Sequence, residues 1–446
     1  ALQGLRFAGF CRAPCPVSLL LLPLHLLRGR HTDQLEAIRQ HLLDRQQQIQ
    51  ARVAQIVVVD QDDHHVYQPG LLFVPFGLTH TEDIVRSRQR QLHKGISFRN
   101  VAVDRVEKDD NEVHLADGMV LGYDVLVIAT GAILVPEETE GLTGAGWNEK
   151  VFTFYTPEGA AALETALADF DGGRIVVNVV DMPIKCPVAP LEFSFLADWY
   201  FHQRGIRDQV QLTYVTPLDG AFTKPVAAEH LAGMLEEKGI ELITEFNTGE
   251  VDGEGGRLVS YDEREVPFDL AVVIPLHGGA EYVGRSPGLG DDLNFVPTDQ
   301  RTLQSEAAPN VFVIGDATNV PASKAGSVTH FEGETLVDNI DRFLADEELV
   351  AGFDGHANCF IETGFKKAML IDFNYDTEPL PGHYPTTVGM PLLQESRLNH
   401  LGKLMFQWFY WHSLLPGRDI PGIHGDMPTS GKDLAAATHA STDQED

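Results

Sequence analysis

Residues 172–195 read GGRIVVNVVDMPIKCPVAPLEFSF, and this stretch restricts the fold more than any other. Residues 174–180 are a β-branched, apolar run without polar alternation. Such runs form strands buried on both faces, as in a parallel sheet covered by helices. In a dinucleotide-binding unit a strand so placed leads into a tight glycine loop, whose backbone N–H groups touch a pyrophosphate. Here Asp181, Met182, Pro183, Ile184, Lys185, Cys186 and Pro187 follow instead. Proline has no N–H to donate, and side chains keep a phosphate away from the backbone. What the loop offers is a thiol. The unit is read as having exchanged nucleotide binding for cysteine chemistry.

The flanking chain supports a parallel sheet. Thr156, Pro157 and Glu158 start a helix, with an N-cap, a proline at the first helical position and an acid in the first turn. It is predicted to run to about Phe170. A helix over 191–203 ends at Gly205. A strand at 210–216, a helix at 225–238 capped by Gly239, and strands at 241–246 and within 265–275 complete the alternation. Upstream, 53–59 is another buried-strand run ending in Asp60. An acid in that position commonly hydrogen-bonds an adenosine ribose; a solvated strand end accounts for an isolated Asp equally well. Residues 101–121 alternate, with turns at 109–111 and 117–118, and predict a small antiparallel sheet.

Two further strand ends point to a ligand. Residues 123–131, YDVLVIATG, close on small residues that let the backbone at Thr130 and Gly131 approach a bound molecule. Residues 309–318, PNVFVIGDAT, are the most specific motif: a buried strand ending at Gly315 and Asp316, then a small-residue loop and a helix. Such an acid can hold a flavin's ribityl hydroxyls while the helix N-terminus faces the flavin ring.

Charge and cysteine count narrow the function class. The net charge of −32 over 446 residues argues against nucleic acid, which requires basic patches. Four cysteines, Cys11, Cys15, Cys186 and Cys359, are too few for a disulfide scaffold and suit a redox pair. Cys11 and Cys15 are a lone C-x3-C with no partner at zinc-site spacing, so no metal site is expected. Residues 17–27, VSLLLLPLHLL, have the length of a signal-peptide core but no small-residue cleavage site after them. A signal, a hydrophobic helix, and an N-terminus of separate origin stay open as readings. Near the other end, LGKLMFQWFYWHSLLPG gathers Phe406, Trp408, Phe409, Tyr410 and Trp411 in a nearly neutral segment, 391–425. Such a segment suits a membrane interface; core or dimer packing is the rival reading. Residues 426–446 are polar and predicted disordered.

With these motifs in view, the chain resembles the sulfide:quinone oxidoreductase family, within the FAD-dependent pyridine nucleotide-disulfide reductase superfamily. The resemblance rests on VYQPGLLFVPFG (66–77), YDVLVIATG (123–131), KCPVAPLEF (185–193), NVFVIGDAT (310–318), KAGSVTHFEGE (324–334) and CFIETG (359–364). It implies an α/β fold of two Rossmann-like three-layer domains plus a C-terminal membrane-interaction region. An FAD-binding domain would be split between 53–150 and 285–345, around a second Rossmann-like domain at 151–284. A quinone and membrane region would occupy 346–425, with 426–446 a disordered tail. Residues 1–52 are atypical: the first strand and G-x-G-x-x-G loop that should precede Asp60 are absent from them.

The resemblance also implies roles. Cys186 and Cys359 would be the redox pair. Sulfide would attack the disulfide or trisulfide joining them, Cys186 would carry the growing sulfur chain, and Cys359 would pass electrons to the flavin. A reactive thiol requires a depressed pKa, for which Lys185 and a helix N-terminus near Leu191 are candidates. Glu192 would move protons. Asp60, Pro69, Thr130, Gly131, Gly315, Asp316 and Lys324 would bind FAD non-covalently, since no cysteine lies between 16 and 185 to tether it. Lys324 would also stabilise the negative charge of the reduced ring. His330, Phe360, Phe406 and Phe409 would wall a membrane quinone. The expected enzyme oxidises sulfide to polysulfide or sulfur as a peripheral (monotopic) protein on the cytoplasmic face of the cell membrane, with homo-oligomerisation possible. The alternatives are a soluble sulfide dehydrogenase subunit passing electrons to a cytochrome, a type II NADH dehydrogenase, and a flavin-free relative without catalysis.

Overall fold

The computed structural model describes residues 55–416, 418 and 425–434. The reading of residues 1–52, and Cys11 and Cys15 with it, lies outside them. Two parallel strand pairs lie in the segments expected to form a split domain. Strand β1, Val57–Asp60, pairs with β2, Ser97–Asn100. Strand β3, Leu126–Ile128, pairs with the distant β9, Val311–Val313. No described strand hydrogen-bonds the two pairs to each other. Strands Val103–Glu107, Glu112–Leu115 and Val120–Gly122 form the expected small antiparallel sheet.

The second domain is a five-stranded parallel sheet. Its strands are β4, Val151–Phe152; β5, Gly173–Val179; β6, Val210–Val215; β7, Ile240–Ile243; and β8, Leu270–Ile274. Their spatial order is β4-β8-β5-β6-β7. The long run within 265–275 divides because Glu265–Pro267 pairs antiparallel with Arg257–Ser260 in a separate hairpin. Only its all-apolar half, where every residue is buried, enters the central sheet. Helices α1, Pro157–Asp169; α2, Ala189–Gln203; and α3, Pro225–Glu237 connect the strands. The α1 start is as expected: the Thr156 hydroxyl accepts from the Gly159 N–H at 3.0 Å. Helix α2 is buried along most of its length, from Ala189 through Asp198. It packs on β10, Ala357–Gly364, which carries Cys359.

The last hundred residues are more ordered than their composition suggests. After α4, Gly326–Leu344, strand β10 pairs antiparallel with β11, Lys367–Phe373. The turn between them places Phe365 and Lys366 at φ 52° and 60°, left-handed conformations at both central positions. Helix α5, Arg397–Phe409, lies against this pair and continues into a π-helical turn, Tyr410–Leu414. Residues 426–434 depart from the sequence expectation of disorder over 426–446, and 435–446 lie outside the described residues. Met427 and Lys432 are buried, because Lys432 Nζ pairs with Asp372 and donates to the Pro428 carbonyl at 2.9 Å. A single buried ion pair is invisible to composition.

Candidate active site

Elements from both Rossmann-like domains and the C-terminal region converge on a cavity of about 290 Å³. The loop after β5 brings Lys185 and Cys186, and α2 brings Ala189 and Glu192. The β9–α4 connection brings Gly315, Asp316, Lys324 and Ser327. Strand β10 supplies Cys359 and Phe360, and α5 supplies Lys403 and Phe406, with Tyr410 just beyond its end. Of the sequence candidates, Cys186, Cys359, Glu192, Lys324, Pro69, Gly131, Gly315, Asp316, Phe360 and Phe406 all line this space.

Four candidates do not. Asp60 ends β1 and is held by Arg88 at 2.9 Å. Thr130 lies 3.4 Å from the Tyr282 hydroxyl. His330 sits on α4 with its ring 6.0 Å from that of Phe331. Phe409 packs edge-on to Trp408. The helical repeat explains Phe409: Lys403, Phe406 and Tyr410 share one side of α5, and position 409 is rotated away from them.

Cys186 sits in a strained setting, at φ 48°, a conformation that a side chain makes unfavourable. Its N–H donates to the Lys324 carbonyl at 2.6 Å, and the Tyr155 hydroxyl donates to its carbonyl at 3.3 Å. Both described cysteines are unpaired thiols. Burial pushes the Cys186 thiol far up, and the nearby Glu192 and Cys359 add to the rise. Cys359 is pushed up to about 12 by burial and then by Glu192. This corrects the expectation of a thiol activated by Lys185. The cation that pulls both thiols down is Lys403, while Lys185 interacts with Asp316. The expected helix N-terminus does contribute, because the Ala189 backbone N–H pulls the Cys186 thiol down.

Lys403 is the residue that sequence reasoning missed. It reads as a lone surface cation on an aromatic helix. In the fold its ammonium pairs with Glu192 and donates to the Phe360 carbonyl at 3.0 Å. Burial raises the Glu192 pKa against the pull of Lys403. Burial opposes the charge on Lys403, but the Glu192 carboxylate outweighs it and holds the ammonium above its usual value. The Glu362 N–H donates to Glu192 at 2.6 Å, and the Glu362 carboxylate accepts from His400 at 2.9 Å. Only the i, i+3 spacing of His400 and Lys403 could have signalled this cluster.

Gly131, Asp316, Lys324 and the start of α4 also line the cavity. Gly131, at φ 72°, would present an added Cβ to open space, so the backbone there is bare toward the cavity. Helix α4 starts on the cavity wall without a side-chain cap, leaving first-turn N–H groups free for an electron-rich ring edge. Lys324 Nζ donates to the carbonyls of Asp316 and Thr318, at 3.0 and 2.7 Å. These residues fit the ring and ribityl portion of a flavin. A pyrophosphate-binding glycine loop is not among the described residues.

No protein-family model matches the chain. The mitochondrial sulfide:quinone oxidoreductase of Mus musculus is 26% identical over 369 residues, covering 81% of this chain and 81% of its own. The corresponding protein of Dictyostelium discoideum is 27% identical over 370 residues, covering 81% and 80%. Among solved structures, the sulfide:quinone oxidoreductase of Aquifex aeolicus superposes with a TM-score of 0.67 at 20% identity, over 82% of this chain and 86% of that one. The superposition bears on the fold.

Proposed function

We propose that this chain, a member of the sulfide:quinone oxidoreductase family, oxidises sulfide to polysulfide or sulfur and delivers the electrons to a quinone. The observation that carries the reading is that Cys186 and Cys359, distant in sequence, open into one cavity that Asp316, Lys324 and the start of α4 also line. Buried thiols held protonated are poor nucleophiles. They suit a pair that is attacked, as a disulfide or trisulfide, by an external sulfur nucleophile. For the disulfide, HS⁻ adds to Cys186 as the S–S bond breaks, and Cys359 leaves as a thiolate that Lys403 stabilises. FAD, held non-covalently by Asp316, Lys324, Gly315, Gly131 and Pro69, would supply the two-electron relay from thiols to quinone. Asp60 and Thr130 would serve its adenosine and ring-flanking portions. Phe360, Phe406 and Tyr410 form the apolar wall for the quinone ring, with Phe409 and His330 behind that wall.

The outer side of α5 favours a lipid surface as the source of the quinone. Leu398, Leu401, Leu404, Met405 and Trp408 are each more than half exposed, and they recur at helical spacing along one stripe. No described helix is long and apolar enough to cross a membrane. The enzyme would lie on the bilayer, at its cytoplasmic face, and admit quinone beneath α5.

Anaerobic titration with sulfide, following the flavin spectrum, tests the reading. The parent is expected to bleach, and Cys359→Ser to keep its flavin and lose that bleaching. A Cys359→Ser protein that bleaches at the parent rate would overturn the assignment.

A further inference from the structure

Quinone reduction consumes two protons, and HS⁻ brings one when it gives up two electrons to become sulfur. One further proton per turnover must therefore enter the cavity from solvent. Gln68 and Gly326 on the cavity lining are exposed, whereas Glu192 and Cys359 are buried, so a proton bound for that end needs groups to carry it. One ladder of titratable groups leads outward. Glu192, on the cavity wall, has its side chain 2% exposed; Glu362 is 3% exposed, and His400 19% exposed. Glu192 accepts the Glu362 N–H at 2.6 Å, and His400 Nδ1 lies 2.9 and 3.1 Å from the two Glu362 carboxylate oxygens. Lys403, one helical turn from His400, feels both carboxylates.

Resting on the quinone-reductase reading above, we propose that Glu362 and His400 are the proton inlet of this cavity, passing solvent protons to Lys403 and Glu192 at the quinone. His400 takes a proton from water at Nε2 and releases one from Nδ1 to Glu362. The neutral Glu362 hands its proton inward as Lys403 gives one up toward the quinone oxygen, so each group ends in its starting state. Burial raises the Glu362 and Glu192 carboxyls, against the pull of His400 on Glu362 and of Lys403 on Glu192. Nearby, Lys238 acts on Glu395, and Lys367 and Glu395 pair with each other at 3.1 Å. Their ion pair adds no net charge to the path. Glu362 has no part in holding the redox thiols, and its backbone bond to Glu192 survives any side-chain change.

The test separates the two half-reactions. Holoenzyme reduced chemically with dithionite, then mixed with a short-chain quinone, reports the quinone side alone. Glu362→Gln and His400→Ala are each expected to slow this reoxidation about tenfold or more, within the range general acid–base groups contribute. The loss should deepen as pH rises, and added imidazole should restore His400→Ala. Reduction by sulfide should stay within about twofold of the parent. In parallel, a protonated-carboxyl infrared band is expected to disappear in Glu362→Gln. Unchanged reoxidation with an unchanged pH profile would overturn the inlet. So would an equal loss in both half-reactions, which would mark a structural role. A parent that reoxidises with quinone but is not reduced by sulfide would sink the sulfide reading and leave the inlet standing.

Discussion

Glu332 shows how a single buried acid couples this site to pH. It lies on α4, is nearly fully buried, and accepts the Gly315 N–H at 2.6 Å. Burial raises its pKa from 4.5 to about 8, with Asp316 adding and Lys324 opposing. Between those two values the folded protein holds a proton that the unfolded chain releases. Stability from this group is therefore full below about 4.5 and falls as pH rises toward 8. Glu332→Gln keeps the acceptor for Gly315 and removes the ionisation. Urea unfolding is expected to show the variant gaining on the parent as pH rises from 5 to 8, by on the order of 3 kcal/mol. Parallel curves across that range would contradict this account. Residues of this kind also mark the limit of what the sequence makes legible. Cys186, Cys359 and Asp316 stand out because their neighbours are diagnostic. Glu332, Glu362 and Lys403 acquire their character only from burial and from partners 17 to 211 positions away. The expectation that Lys185 activates Cys186 failed for the same reason: adjacency along the chain sent the two side chains to different partners.

Helix α5 does two jobs with its two sides. Lys403, Phe406 and the following Tyr410 face the cavity, while Leu401, Met405 and Trp408 face outward. Asn399 fixes the rotation between them. It is fully buried, and its Nδ2 donates to the carbonyls of Pro391 and Gln394 at 2.9 and 3.2 Å. The sequence displayed the aromatic cluster and was read as suiting a membrane interface, with core or dimer packing as the rival. The π-helical turn after Phe409 alters that, because it turns Trp411 inward, where Arg86 stacks 4.1 Å from its ring centre. The outward stripe is mostly leucine, which an aromatic count overlooks. Leu401 and Trp408 are exposed in the protein alone, so replacing both with Gln should leave folding within about 0.5 kcal/mol of the parent per site. Each would lose about 1.5–3 kcal/mol of burial in lipid. Vesicle partitioning is expected to fall by about a hundredfold, with sulfide-driven bleaching intact. Undiminished partitioning in sedimentation would show that another surface holds the membrane.

Across the whole molecule, the alternation of strands and helices was readable because each buried strand carries its own signature. The five-stranded sheet of the second domain follows that signature closely. The C-terminal region was not readable in the same way, since the meaning of β10 and β11 lies in their pairing with each other. Lys432 closes this region over Asp372, with His356 2.8 Å from the other carboxylate oxygen and every member buried. Removing one member of a buried pair leaves a charge without compensation and costs about 3–5 kcal/mol. Lys432→Met is expected to lose stability on that scale in denaturant unfolding. Lys432→Met/Asp372→Asn should recover most of it, and a double variant no better than the single would count against the clamp. The segment so anchored is close behind Cys359, since β10 starts just after His356 and carries Asn358 and Cys359. The placement of α5, cavity on one side and apolar stripe on the other, has a kinetic consequence. A quinone that enters beneath this helix arrives by diffusion in two dimensions. The concentration that governs turnover is then its mole fraction in the lipid. Diluting the same vesicles with empty lipid should slow the enzyme, whereas diluting them with buffer should not.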